Sequence, residues 1–177
     1  MRALRRTVFL LQSRRARISA RLALCAGTAV LLIAVANADG IMSAIQGGFA
    51  QIAGGALQLL GENAAVDGNT VRTARFGISV VTACTGLFLT GLFSIAVIAF
   101  PCGWRSKIGG ILLGAGGIFA LNVFRLVSLY YVGVYLSNWL DTVHLLVWQS
   151  LSIAFAVVVW LVWAGRGGRT RSREATR

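Results

Sequence analysis

Charged residues are scarce in this chain. Asp, Glu, Lys and Arg make up 12% of its 177 residues, while 57% are hydrophobic. A soluble domain carries about 25% charged residues, so the shortage excludes an ordinary water-soluble domain and implies an integral membrane protein. Histidine is scarcer still, with a single copy, and the three cysteines (Cys25, Cys84, Cys102) lie far apart. No familiar metal-ligand spacing can be assembled from them, so neither a metal nor another cofactor is expected. Acidic residues number five against 17 lysines and arginines. The resulting net charge of +12 would point to nucleic acid in a soluble protein. Here the arginines stand in blocks beside apolar runs, as cytoplasmic flanks of membrane spans do. The expected surroundings are membrane lipid, with no nucleic-acid partner.

What the chain has in quantity is apolar length. Four spans stand out, at residues 22–38, 80–100, 108–136 and 144–163. At 1.5 Å per residue each can cross a hydrocarbon core of roughly 30 Å, the first only just. The basic head 1–21 holds seven arginines, the loop PCGWRSK holds Arg105 and Lys107, and the basic tail 164–177 holds five arginines. Four of the five acids, Asp39, Glu62, Asp67 and Asp141, fall in the other two connections. The positive-inside rule then predicts both termini in the cytoplasm. The expected fold class is an all-α integral membrane protein of four transmembrane helices (N-in, C-in), forming one domain over residues 1–177. Ala36, Asn37 and Ala38 form an A-x-A pattern after an apolar run, as a signal-peptidase site does; cleavage after Ala38 would leave the remaining topology unchanged.

Two segments between the first and second spans are expected outside the cytoplasm. Residues 41–60 are uncharged, and a fifth span there would put the basic tail outside. On a helical projection Ser43, Gln46, Gly47, Gln51, Gly54 and Gln58 share one face, and Ile41, Ile45, Ile52 and Leu59 the opposite one. An interfacial amphipathic helix is the better reading. Residues 64–79 carry an Asp67-Gly68 turn signal and an alternation through Phe76, Ile78 and Val80, which predicts a short hairpin-like extended segment.

Cys84 then falls at a strand-to-helix junction, at the outer mouth of the membrane. Under this topology Cys25 lies within the first span and Cys102 in the cytoplasmic loop, so neither can form a disulfide with Cys84. A lone buried cysteine is commonly just a small apolar side chain. Two other ionisable groups project to the same depth. Arg125 lies eighteen residues after Lys107, about 27 Å along a helix, and His144 opens the last span. An arginine near a span end commonly snorkels, and an interfacial histidine is commonly just solvated. Together, however, a thiol, an imidazole and a guanidinium suit acyl transfer: nucleophile, proton shuttle and oxyanion donor. Asp141, three residues before His144, is a candidate to orient the imidazole, and Asn122, three before Arg125, a candidate to brace the guanidinium; both are equally readable as cap or interface residues. Gly110, Gly114, Gly117 and Ala120 give the third span a small-residue packing face.

These residues resemble the exosortase/archaeosortase family of membrane cysteine transpeptidases. Ala-Cys-Thr-Gly at 83–86 is similar to its A-C-S/T-G nucleophile motif, Asn-Val-Phe-Arg-Leu at 122–126 to its N-x-x-R-I/L motif, and His144 to its last-span histidine. FPCGWRSKIGGILLG resembles the family's cytoplasmic turn. The stretch LNVFRLVSLYYVGVY with VHLLVWQ looks most like the compact type H exosortases. The match covers about residues 76–163, with threonine after Cys84 and leucine after Arg125 in place of the commoner serine and isoleucine. The resemblance implies a cysteine transpeptidase of the bacterial inner membrane, with its active site facing the periplasm. Its partners would be exported proteins ending in a short proline-containing motif, a transmembrane helix and a basic tail. Cys84 would form a thioacyl enzyme, assisted by Arg125 and His144, and an acceptor nucleophile or water would resolve it. The alternative reading is a non-catalytic membrane scaffold or assembly subunit.

Overall fold

The structure is a computed structural model that describes the backbone of residues 2–175 and the side chains of residues 18–166. It is mostly helical, with one small sheet at one end. In chain order the elements are α1 (Arg2–Ala36), α2 (Asp39–Leu59), β1 (Ala65–Asp67), β2 (Thr70–Arg72), β3 (Gly77–Ser79), a 3-10 turn (Thr82–Cys84), α3 (Leu87–Ala99) and α4 (Trp104–Tyr135). A second 3-10 turn (Ser137–Trp139), the single turn α5 (Leu140–Thr142) and a π-helical turn (Val143–Val147) lead into α6 (Trp148–Ala175).

Three helical stretches are long and apolar enough to cross a membrane: Ile18–Ala36, Trp104–Tyr135 and Ser137–Arg166. Each exposes large apolar side chains, such as Leu31, Leu112, Leu113, Val158 and Leu161, as a surface solvated by hydrocarbon does. The expected second span is different. Residues 80–86 are not part of its helix, and α3 has 13 residues, about 20 Å of rise. Its start is set by Gly86, whose φ of +67° breaks the helical path.

Away from the sheet the helices pack through an apolar core. Phe93 and Val97 from α3, Ile118 from α4, and Ala156 and Trp163 from α6 are buried together. The expected glycine face of α4 receives bulky neighbours: Gly110 faces Trp163, Gly114 faces Phe93 and Gly117 faces Phe155. Ala120, expected on the same face, is exposed. Lys107 is buried and donates its ammonium to the carbonyl of Ile98. It thereby satisfies one of the carbonyls left open at the end of α3. Cys25 approaches the Ile95 carbonyl of α3 from α1, and all three cysteines are free.

A second core forms at the other end, beneath α2. Its buried side is Phe49, Ala50, Ala53 and Leu57, packed with Val71, Val80, Leu126 and Tyr130. This packed strip lies between the two faces expected from the sequence. Of the expected apolar face, Ile41, Ile52 and Leu59 are exposed and Ile45 is partly buried. Of the polar face, Gln46 and the exposed Gln58 bond the protein, Gln58 reaching the Ala64 carbonyl at 2.7 Å. A helix covered on one side by protein thus keeps an apolar strip for another solvent. Its C-terminus closes with a Schellman pattern, in which Glu62 and Gly61 donate to the carbonyls of Leu57 and Gln58 and Gly61 takes the left-handed conformation.

The extended segment is a three-stranded antiparallel meander with order β1-β2-β3. Val66, Val71 and Ile78 are aligned across it, and Val71 is buried against α2. The turn after β1 falls at Gly68 and Asn69, one step beyond the expected Asp67-Gly68 centre. Thr73 ties the sheet to α4 through a 2.8 Å hydrogen bond with the Tyr130 hydroxyl, while the Phe76 ring packs over Gly133. Arg75 pairs with Glu62 at 3.4 Å and stacks over Tyr135. These contacts hold the chain rigidly up to the residue before Cys84's turn.

Candidate active site

The chain reaches Cys84 through a succession of braces. Val80 donates its backbone N–H to Asn69, and the Asn69 amide returns a bond to the Val80 carbonyl at 3.0 Å. The following 3-10 turn is closed by the Cys84 N–H on the Val81 carbonyl, at 2.8 Å. Thr85 bonds the Thr82 carbonyl with both its N–H and its hydroxyl, and Gln46 on α2 donates to the Thr82 hydroxyl at 3.2 Å. Gly86 then turns left-handed and α3 begins. Any side chain on Gly86 would strike Asn122 and Ile118 of α4. Glycine is required there by both conformation and space.

Cys84 is 3% exposed, and its sulfur lies 3.5 Å from Nε2 of His144. His144 sits in the π-helical turn Val143–Val147. Such turns carry an extra residue per hydrogen-bonded ring and recur at functional sites in helices. Arg125, 3% exposed, reaches the same turn from α4: its Nη2 donates to the backbone carbonyl of His144 at 3.4 Å. The guanidinium Nε is buried and has no hydrogen-bond partner among the described residues. A buried N–H without an acceptor is costly, so this nitrogen is a ready donor for a ligand oxygen.

Sixty residues separate Cys84 from His144, yet the fold brings thiol, imidazole and guanidinium to one place. The two accessory candidates behave differently. Asn122 is buried, but its amide donates to the Ile118 carbonyl at 2.9 Å, and no hydrogen bond joins it to Arg125. One turn further from the sheet than Arg125, its side chain packs against the Gly86 bend instead. Asp141 is exposed, and among the described residues no hydrogen bond links it to the His144 ring. The π-helical turn begins only after it, so the separation of three residues does not stack the two side chains as in a regular helix.

Four contributors were absent from the sequence reading. Gln46 and Thr82 brace the cysteine turn. Gln149 and Ser152 line, with Asn122 and Arg125, a cleft of about 160 Å³ against the first turn of α3. The spacing of Gln149 and Ser152 after His144, on an otherwise apolar helix, was the available signal for the second pair. No group of histidine, cysteine and acidic residues among those described could hold a metal.

The family model described as Transmembrane exosortase (Exosortase_EpsH) matches residues 6–164. No curated protein and no solved structure matches the chain.

Proposed function

Because the chain belongs to the transmembrane exosortase family, we propose that it is a membrane-embedded cysteine transpeptidase with Cys84 as nucleophile, and that it is of the compact type H kind. The single observation that carries this reading is the 3.5 Å approach of the Cys84 sulfur to His144 Nε2. A scaffold subunit has no need of a buried thiol against an imidazole whose backbone is held by a buried arginine.

The proposed substrate is an exported protein with a C-terminal tail of short proline-containing motif, transmembrane helix and basic residues. His144 takes the thiol proton through Nε2, and the thiolate attacks the scissile carbonyl carbon to form a C–S bond. The carbonyl π electrons move to oxygen, and the Arg125 guanidinium stabilises the resulting oxyanion. Collapse breaks the C–N bond, and the imidazolium delivers its proton to the departing amine. The remaining thioacyl enzyme is attacked by an acceptor nucleophile, whose proton passes to His144. Rupture of the C–S bond then restores the thiolate.

The proposed topology is four crossings with N-in, C-in orientation, α3 being the short one, in a bacterial inner membrane. The sheet and α2 then lie at the periplasmic face, with the Cys84 turn directly beneath them. A short helix can cross where its non-helical approach is held by protein; Val80, Cys84 and Thr85 are buried, while Val81 and Ala83 are exposed. The packing of α1 along α3 supports its retention as a span rather than removal after Ala38.

The test is processing of a tailed substrate in cells. Wild type should shorten it, and Cys84→Ala should leave it full length. Persistence of the shortened form with Cys84→Ala would remove Cys84 as nucleophile.

A further inference from the structure

The cleft beside Arg125 is more than the space around the reacting sulfur. Its walls come from three helices, with Leu87 and Phe88 from α3, Asn122 and Arg125 from α4, and Gln149 and Ser152 from α6. Cys84 and His144 are not among its lining residues. Thr82 and Ala83 of the cysteine turn line its mouth beside the thiol, and the helical members of the lining lie on one side of it. Leu87 and Phe88 follow Cys84 into α3. Asn122 precedes Arg125 on α4, away from the sheet end. Gln149 and Ser152 follow His144 by five and eight residues, roughly 7–12 Å further from the sheet. The cleft therefore extends from the thiol toward the middle of the bundle.

Its chemistry is equally one-sided. The lining has no carboxylate, two amides, hydroxyls and apolar side chains. Its one charged member is Arg125, whose Nε is buried and without an acceptor. At this depth a charged ligand group would be expensive, whereas a peptide carbonyl supplies the missing acceptor at little cost. The volume, about 160 Å³, suits one side chain rather than a second helix.

We infer that this cleft seats the first residue on the leaving-group side of the scissile bond: one uncharged side chain lies between Phe88 and Gln149, and its backbone carbonyl accepts from Nε of Arg125. The inference rests on the transpeptidase reading, in which the departing fragment continues into a transmembrane helix. That fragment must run from the thiol into the membrane, the direction in which the cleft extends. Arg125 then grips both sides of the bond, with Nε on the leaving residue and its terminal nitrogens, of which Nη2 also holds the His144 carbonyl, on the oxyanion. Gln149 and Ser152 set which leaving-side residue is accepted.

The test uses full-length enzyme and a reporter carrying the tail of an exported protein that wild type processes. A photo-crosslinking amino acid replaces Gln149 in the Cys84→Ala enzyme, and another replaces the exposed Val81 on the sheet side of the thiol. Crosslinks from position 149 should map to residues after the scissile bond, and those from position 81 to residues before it. In a second measurement, Ser152→Phe should lower kcat/KM at least tenfold for a tail with a bulky first leaving-side residue. Glycine at that substrate position should restore turnover. Crosslinks from 149 to the acyl side or to lipid alone, or a Ser152→Phe loss that glycine does not rescue, would overturn the cleft assignment while wild-type processing leaves the transpeptidase reading standing. Failure of wild type to process any tailed protein would overturn both.

Discussion

The sulfur of Cys84 and Nε2 of His144 stand 3.5 Å apart, although one belongs to a turn leaving a small sheet and the other to a π-helical turn. Neither turn is rigid by itself. The sheet, α2 and Gln46 hold the first, and Arg125 holds the second through the His144 carbonyl.

Removing the imidazole isolates its contribution. His144→Ala should lower kcat by about 10²–10⁴, the usual scale for a positioned acid–base group, while substrate capture by Cys84→Ala enzyme remains. Single-turnover assays on matched protein amounts would check this. Turnover within tenfold of wild type would make the thiol–imidazole contact incidental.

Arginine at position 125 should not be replaceable by lysine. Arg125→Lys keeps the charge but loses the planar arrangement that lets one side chain meet the His144 carbonyl with Nη2 and still offer a second donor at Nε. A fall of about 10²–10³ in kcat is expected, the range seen on losing an oxyanion donor. Near-normal kcat would reduce Arg125 to a simple positive charge.

Asp141 gives the opposite expectation. Exposed and without a hydrogen bond to the imidazole ring, it resembles a surface position, where substitutions stay within about 0.5 kcal/mol. Asp141→Asn should therefore change kcat/KM by no more than about twofold. A hundredfold loss would show that the carboxylate orients His144 during turnover.

Gly86→Ala should damage the bend. A non-glycine residue in the left-handed region costs about 1–2 kcal/mol, and here the new methyl also meets the Asn122 amide. Reduced thermal stability in detergent, together with lost processing, is the expected result. Gly86→Ala with Asn122→Ala should recover part of the stability, because the steric conflict goes while the backbone strain stays. No recovery would leave conformation as the whole effect.

Orientation is accessible to cysteine labelling, but Cys84 is too buried to report it. A cysteine at exposed Asp67, beside the sheet turn, should react with an impermeant thiol reagent in intact spheroplasts. One at exposed Arg105, in the first turn of α4, should react only after permeabilisation. The reverse pattern would invert the proposed topology.

Much of this was legible in the sequence because membrane insertion leaves coarse marks. Apolar length marks α1, α4 and the stretch through α6. The Cys84, Arg125 and His144 motifs could be placed at one depth from helical rise alone. The second span was harder to delimit. Val80 and Val81 are as apolar as the helix that follows, so composition could not separate strand and turn from span; the backbone of Gly86 does. The packed strip of α2 was hidden for a related reason. Phe49, Ala50, Ala53 and Leu57 are buried by α4 and by a sheet whose docking position depends on Tyr130 and Gly133, far along the chain. Regular helical spacing points Asn122 at Arg125 and Asp141 at His144. Packing on Gly86 redirects the first, and the π-helical turn offsets the second.

The most direct test is mass spectrometry of Cys84 from enzyme quenched during turnover with a tailed substrate. The expected species is a thioester joining Cys84 to the N-terminal fragment of the substrate, labile to hydroxylamine and accumulating when acceptor is withheld. Unmodified Cys84 throughout turnover, with substrate still shortened in the Cys84→Ala variant, would contradict nucleophilic catalysis by this thiol.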